Sequence, residues 1–279
     1  NISFIRNELK ALADGASHMY ARSGFDSNFT GYDYIAKVGE SLGLIYGYEF
    51  DGVYQYDDFY TDTDGKLVLK PGVTQNSRYS TGVKGEPNGA RPGAVKYKDQ
   101  DGDGDITTKD RTVIGNAMPK WFGGITNTFE YKGFDLSFMF QFNYGNDIYN
   151  ATRLYATQTR SGRRNMLAEV ADRWTPTNAS NSSTKGYITN DVYSRFVEDG
   201  SFLRLKNLTL GYTLPKKWTN KFHASRLRVY VTGQNLFCLN NYSGYDPEVN
   251  SLNNPMMPGL DWGAYPKSRV FTVGLDLQF

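Results

Sequence analysis

The densest chemistry in the sequence is the run Asp99-Gln-Asp-Gly-Asp-Gly-Asp-Ile-Thr-Thr-Lys-Asp110. Read as a cation-binding loop, it places Asp99, Asp101 and Asp103 at alternate positions. Gly104 falls at the turn, Asp105 next, then Ile106, and Asp110 closes the loop. Alternate carboxylates at that spacing converge on one hard cation, so a structural Ca²⁺ site is predicted here. Asp99, Asp101 and Asp103 would bind through side chains and Asp105 through its backbone carbonyl. Asp110 would close the shell, and Thr107 sits where a water often serves. Asp in place of the usual bidentate Glu at the last position weakens the expected affinity. Mg²⁺ fits less well, because it keeps several waters and a strict octahedron. Flanking helices are not evident, so this is a loop of that type and not an EF-hand pair. The competing reading is a solvated acidic turn, whose carboxylates repel one another unless screened.

Other reactive residue types are sparse. Gly39-Glu-Ser-Leu-Gly43 has the G-x-S-x-G spacing of a nucleophile elbow, but that elbow needs a strand before it and a helix after it. The following Leu44-Ile-Tyr-Gly-Tyr48 is aromatic and broken by glycine, so a tight turn is expected instead. His18 and His223 lie in polar stretches, and Cys238 reads as a packed thiol at a strand end. One cysteine excludes an internal disulfide and a thiolate metal cluster. No catalytic set emerges, and the expectation is that the protein is not an enzyme. Lys and Arg number 31 against 29 Asp and Glu, a formal charge of +2, which gives no reason to expect nucleic acid as a partner.

The elements that must position these residues are strands. From Phe134 to Tyr144 every even residue is aromatic or Leu, and the odd ones are Asp135, Ser137, Met139, Gln141 and Asn143. Period two over that length is a strand with one apolar and one polar face. The pattern returns in Phe271, Val273, Leu275, Leu277 and Phe279, in Leu227, Val229 and Val231, and in Leu208, Leu210, Tyr212 and Leu214. It is weaker from Ile125 to Tyr131, and short strands are expected near Ile2–Glu8, Asn28–Lys37 and Gly43–Tyr54. The reading is about eight strands of roughly ten residues, the length that crosses an outer membrane at a tilt. Aromatics make up 15% of the chain, and no apolar run is long enough for a membrane-spanning helix.

Connections alternate in length. Lys132-Gly133 and Val38–Leu42 are short and Leu214–Ser225 is of middling length. The stretches 51–118, 145–200 and 238–267 are long, polar and rich in Gly, Asn, Ser and Pro. Short turns on one side and long loops on the other is how outer-membrane barrels are arranged. With Lys132-Gly133 in the periplasm, strand parity brings the chain's end at Phe279 to the periplasm too, and the acidic loop to the outside. Asp135, Gln141, Asn143, Arg228, Tyr230, Gln234 and Asp276 would then line a wet interior. Tyr242, Tyr245, Trp262 and Tyr265 would either stack on sugar rings or a partner, or order their own loop. A soluble all-β sandwich carries similar alternation. The second functional reading is accordingly a secreted soluble Ca²⁺-binding β-domain that binds carbohydrate.

Five stretches resemble a known family: Val197–Pro215 (VEDGSFLRLKNLTLGYTLP), Tyr230–Glu248 (YVTGQNLFCLNNYSGYDPE), Gly259–Phe279 (GLDWGAYPKSRVFTVGLDLQF), Lys37–Gln55 (KVGESLGLIYGYEFDGVYQ) and Pro92–Gly124. Arg173-Trp-Thr-Pro-Thr-Asn178 adds to them. Together they are similar to the SusC/RagA family of TonB-dependent outer-membrane transporters. The resemblance implies an antiparallel transmembrane β-barrel, with residues 1–279 forming the C-terminal part of a barrel of 22 strands. It also implies active import of large nutrients, oligosaccharides or peptides, across the outer membrane of a Gram-negative bacterium. The partners it implies are the rest of the same barrel and its plug, TonB, a SusD-like surface lipoprotein and outer-membrane lipid. The terminal Phe279 resembles the signal by which such barrels are recognised for insertion. Nothing in the sequence resembles the plug, and a chain opening at Asn1 without Met reads as processed or partial. A sheet with an open edge does not sit in lipid, so both edges are expected to pair with further strands.

Overall fold

The structure, a computed structural model, describes residues 1–27, 29, 31–78, 89–158, 165–181 and 191–279. The fold is predominantly antiparallel β, with a short parallel pairing of Asp147–Asn150 with Leu260–Asp261 and, among the described residues, two short α-helices, Ala151–Thr157 and Lys216–Thr219. Its main element is a six-stranded meander: β1 (Ile2–Phe4), β2 (Trp121–Tyr131), β3 (Phe134–Tyr144), β4 (Phe202–Thr213), β5 (Arg226–Asn240) and β6 (Val270–Gln278). β2 and β3 meet in a two-residue hairpin whose Lys132 and Gly133 both have positive φ, the backbone a tight turn between twisted strands requires.

Register makes one face of this sheet apolar. Phe134, Leu136, Phe138 and Phe140 on β3 stand opposite Tyr131, Phe129, Asn127 and Ile125 on β2, and opposite Tyr212, Leu210, Leu208 and Leu205 on β4. Val229 and Val231 continue the stripe to Leu275 and Val273. Apart from Leu205 at the cap end, no residue of that stripe is buried: Phe271 is 71% and Val273 75% exposed. A patch of this size on a water-soluble monomer would be anomalous.

The buried core lies elsewhere. The connections 5–120, 145–201 and 241–269 all leave the same end of the sheet, while 132–133 and 214–225 close the other end. The three long ones pack on one another as a cap. Tyr34, Ile45, Tyr48 and Ile106 of the first meet Tyr149, Leu154 and Phe196 of the second and Leu260 of the third. Small sheets support this core. His18–Ala21, Tyr34–Lys37, Leu44–Tyr48 and Arg111–Asn116 form one; Val197–Asp199, Asp147–Asn150 and Leu260–Asp261 form another.

Three expectations are corrected here. The segments near Asn28–Lys37 and Gly43–Tyr54 are not wall strands: Tyr34, Ile35 and Ala36 are buried in succession, so both faces of that strand are covered by the cap. Only Ile2–Phe4 of the segment Ile2–Glu8 joins the main sheet, which therefore has five strands of 9 to 15 residues and one short one instead of about eight long ones. The connection Val38–Leu42 consequently turns within the cap. β6 ends beside the Arg226 end of β5, level with the short turns.

Candidate functional site

The residues expected on the wet face do share one face. Asp135 lies across from Gly211, which in turn lies across from Tyr230; Gln141 lies across from Arg204, Arg228 from Asp276, and Gln234 from Asn207. The Arg228 guanidinium reaches over β4 to Asp135, with Nε–Oδ1 at 2.8 Å and Nη2–Oδ2 at 2.6 Å, and its Nη1 lies 3.4 Å from Asp276. Gly211 makes this possible: a Cβ there would collide with Asp135 Oδ1 and stand 2.6 Å from Arg228 Nη2. Three strands are thus bridged by one charged ladder near the short-turn end.

A second cluster joins the polar face to the cap. Arg204 on β4 is 4% exposed and donates to Asp246 Oδ1 at 2.5 Å. Its Nε is 2.9 Å from Glu248 Oε2, an ion-pair contact off the hydrogen-bond direction, and Lys267 Nζ approaches the same oxygen at 2.7 Å. Asp246, 5% exposed, also accepts the backbone N–H of Glu248 and of Lys267. Sequence reasoning missed Arg204, although its position between Leu203 and Leu205 in an alternating strand was the available signal.

Above this, polar contacts tie the second and third connections together. Asn150 Nδ2 donates to Glu198 and Ser243, Thr152 Oγ1 to Asp261, and Tyr242 Oη to Asp261 Oδ2 at 2.5 Å. Arg153 forks onto Glu169 at 2.7 Å through both Nε and Nη2, which holds the Glu169 carboxyl below its ordinary value. A cavity of about 400 Å³ opens here, walled by Asn150, Arg153, Glu169, Tyr245 and Asp261 among others. Of the four loop aromatics singled out from sequence, Tyr242 is buried, and Trp262 packs against Phe25 and Tyr155. Tyr245 and Tyr265 stand exposed. The first two order the cap and the last two are free to touch a ligand or partner.

The acidic loop follows the strand Val95–Tyr97 in the first connection. Carboxylate oxygens of Asp99, Asp101 and Asp103 all lie within 4.8 Å of one another. Asp99 accepts the N–H of Gly102 and Gly104, and the Gly104 bond foremost holds its carboxyl below the ordinary value. The side chain of Asp105 turns away to Ser77, which leaves that residue only its backbone carbonyl to offer. Asp110 is fully buried, accepts the N–H of Gln100 on one carboxylate oxygen and of Thr107 on the other, and is not part of the three-carboxylate cluster. Ile106 anchors the loop in the cap core, and Gln75 pairs with the backbone on either side of Asp105. The donor set suits a hard cation of Ca²⁺ type.

The remaining candidates hold no catalytic arrangement among the described residues. Ser41 sits in the turn between two cap strands and donates to the carbonyl of Leu42, so the strand-to-helix context of a nucleophile elbow is absent there. His18 is exposed and hydrogen-bonds Ser17, His223 ends a short helix at φ 58°, and Cys238 is a half-buried free thiol on β5.

No family model matches the chain. It is 34% identical over its whole length to TonB-dependent receptor P3 of Formosa agariphila and covers 26% of that protein. It is 29% identical to TonB-dependent receptor SusC of Bacteroides thetaiotaomicron, over 80% of this chain and 22% of the relative. In fold it superposes over its full length on 26% of a chain of the RagAB peptide transporter, with a TM-score of 0.70 at 20% identity. The chain thus spans about a quarter of the length of the relatives it matches.

Proposed function

Because the chain belongs to the SusC/RagA family of TonB-dependent receptors, we propose that it forms the C-terminal part of the wall and the outward cap of an outer-membrane importer. The carrying observation is the uncovered apolar face of the six-stranded sheet, beside a cap with a closed core of its own. In water that face would be a liability; in a bilayer it is the lipid-facing band. The work is gated translocation of large nutrients, oligosaccharides or peptides, with no bond made or broken. In this reading residues 1–279 supply strands to a 22-stranded barrel in a Gram-negative outer membrane. The short turns and the C-terminus face the periplasm and the three long connections face outward. A plug and TonB supply energy coupling, and a SusD-like lipoprotein closes the outer face. The polar face, with Arg228, Asp135 and Arg204, lines the interior or seats the plug. The soluble carbohydrate-binding alternative has no observation in its favour that the importer lacks.

Detergent dependence and intact mass test this together. The native protein should be extracted only with detergent, as a species larger than 31.5 kDa with further strands paired to β1 and β6. A 31.5 kDa species that stays monodisperse in plain buffer would defeat the proposal.

The same reading gives the acidic loop a structural role. Ca²⁺ held by Asp99, Asp101 and Asp103, by the Asp105 carbonyl and by Asp110 neutralises the loop and stiffens the first connection. With Asp at the closing position, the dissociation constant should be on the order of 0.1–1 mM, the range of extracellular modules. Chelation should accelerate proteolysis within 99–110 and restored Ca²⁺ should reverse it. Asp101→Asn should raise the Ca²⁺ needed for protection. Cleavage indifferent to Ca²⁺ would reduce the run to a solvated turn.

A further inference from the structure

The short-turn end of the sheet carries a charge pattern that importing nutrients does not require. The connection 214–225 holds Lys216, Lys217 and Lys221 and not one carboxylate, and the hairpin between β2 and β3 adds Lys132. All four lysines are exposed, and no described carboxylate lies within ion-pair distance of any of them. The nearby acids are otherwise engaged or on the other face. Asp135 and Asp276 are taken by Arg228, and Glu130 shares the polar face with Asp135.

Large amphipathic rings accompany these cations. Trp218, in the middle of the lysine-bearing connection, is 49% exposed, and Tyr131, at the foot of the apolar stripe, is 70% exposed. Lys132 Nζ stands 5.2 Å from the centre of the Tyr131 ring, which places that ammonium on the apolar side of the sheet. Phe134 beside it continues the stripe directly into the uncovered band. Arg226 shares the polar face with Arg228 and is not part of this rim.

We infer that this rim is a binding surface for anionic phospholipid: the lysines engage headgroup phosphates while Trp218 and Tyr131 sit at the boundary between headgroups and acyl chains. The inference rests on the membrane-spanning reading and adds to it a preference for lipid charge. The occupant follows from adjacency. A free anion or an acidic protein would account for the lysines, but not for the junction of Lys132 and Tyr131 with an exposed hydrocarbon-facing stripe or for the exposed Trp218 among the other three. Exposed lysines close to an anionic lipid surface each add attraction that salt screens, whereas aromatic rings at that level anchor without regard to lipid charge.

The test uses the complete transporter that contains this chain, delipidated in detergent and offered phosphatidylglycerol or phosphatidylethanolamine, with retained lipid counted by native mass spectrometry. Phosphatidylglycerol should be retained roughly tenfold more than phosphatidylethanolamine, the equivalent of between one and two unscreened lysine contributions out of the four once salt screens them. The variant combining Lys132→Gln, Lys216→Gln, Lys217→Gln and Lys221→Gln should bring the two lipids level. Inorganic phosphate at millimolar concentration should not displace the retained lipid. Heat-modifiable gel mobility reports whether each variant remains a folded barrel. Equal retention of the two lipids, a preference untouched in the folded variant, or full displacement by phosphate would overturn the inference while leaving the membrane reading intact. A protein that takes up neither lipid and needs no detergent would remove both.

Discussion

Phe138→Arg should cost the folded transporter about 2–4 kcal/mol, the range for a cation placed on the lipid face near the bilayer midplane. Phe138 sits near the middle of β3, between Leu208 and Asn127, and its ring packs with Phe129 and Phe140 on the uncovered face. The matched control is the adjacent residue. Ser137 lies opposite Thr128 and Thr209 on the polar face, so Ser137→Arg should cost less than about 1 kcal/mol, as lumen substitutions do. Gln141 would make a poorer control, because it faces Arg204 and donates to Glu248. Denaturant titrations of folding into lipid vesicles measure both. Similar losses at 137 and 138 would mean that the two faces do not meet different solvents, and the proposed orientation of the wall would fall.

β3 was legible because nothing interrupts it: six even residues keep one parity from Phe134 to Tyr144, and the structure keeps the same face throughout. β4 was legible only in part. Leu208, Leu210 and Tyr212 show their alternation, but Leu203 and Leu205 join the same face from the opposite parity. The register shifts between Leu205 and Asn207, and β5 answers with Asn235 at φ 52°. A bulge of this kind inserts a residue into the count, so period-two matching loses the strand at the point where it turns toward the cap. Arg204 lies on the far side of that break, which is why its role was missed.

The cap was the least legible part, for a different reason. Its strands are short and covered on both faces, so Tyr34, Ile35 and Ala36 give an apolar run instead of an alternation. Such a run does not say which partner buries it, and the partners come from connections far away in sequence: Tyr34 donates to the carbonyl of Pro258, and Tyr48 N–H to that of Val192. High Gly, Asn and Ser content made the long connections look solvated, yet their aromatics supply the core. The convergence of the acidic loop was legible because its geometry is local. Asp99, Asp101 and Asp103 converge within one turn of chain, whatever the rest of the fold does.

Arg204→Met should be among the most damaging single changes, at about 3–5 kcal/mol, because it removes one partner of a buried pair and strands the other. Asp246 would stay 5% exposed with its strongest donor gone, and Glu248 would keep only Lys267 and the side-chain amide of Gln141. Arg204→Lys should recover only part of the loss. A single ammonium does not fork between Asp246 and Glu248 as the guanidinium does. The local consequence is specific: 241–269 would lose its charged tie to the wall, keeping there the Gln141–Glu248 and Asn235–Ser268 hydrogen bonds, while its contacts to the second connection, through Ser243 and Asp261, persist. Proteolysis should therefore appear first between Asp246 and Lys267, before the strands unfold. Adding Asp246→Asn to Arg204→Met should restore a measurable part of the stability, since the orphaned charge and not the lost contact carries most of the penalty. Additive losses in that cycle, or a single-variant cost below about 1 kcal/mol, would show that the cap is held to the wall by apolar packing alone.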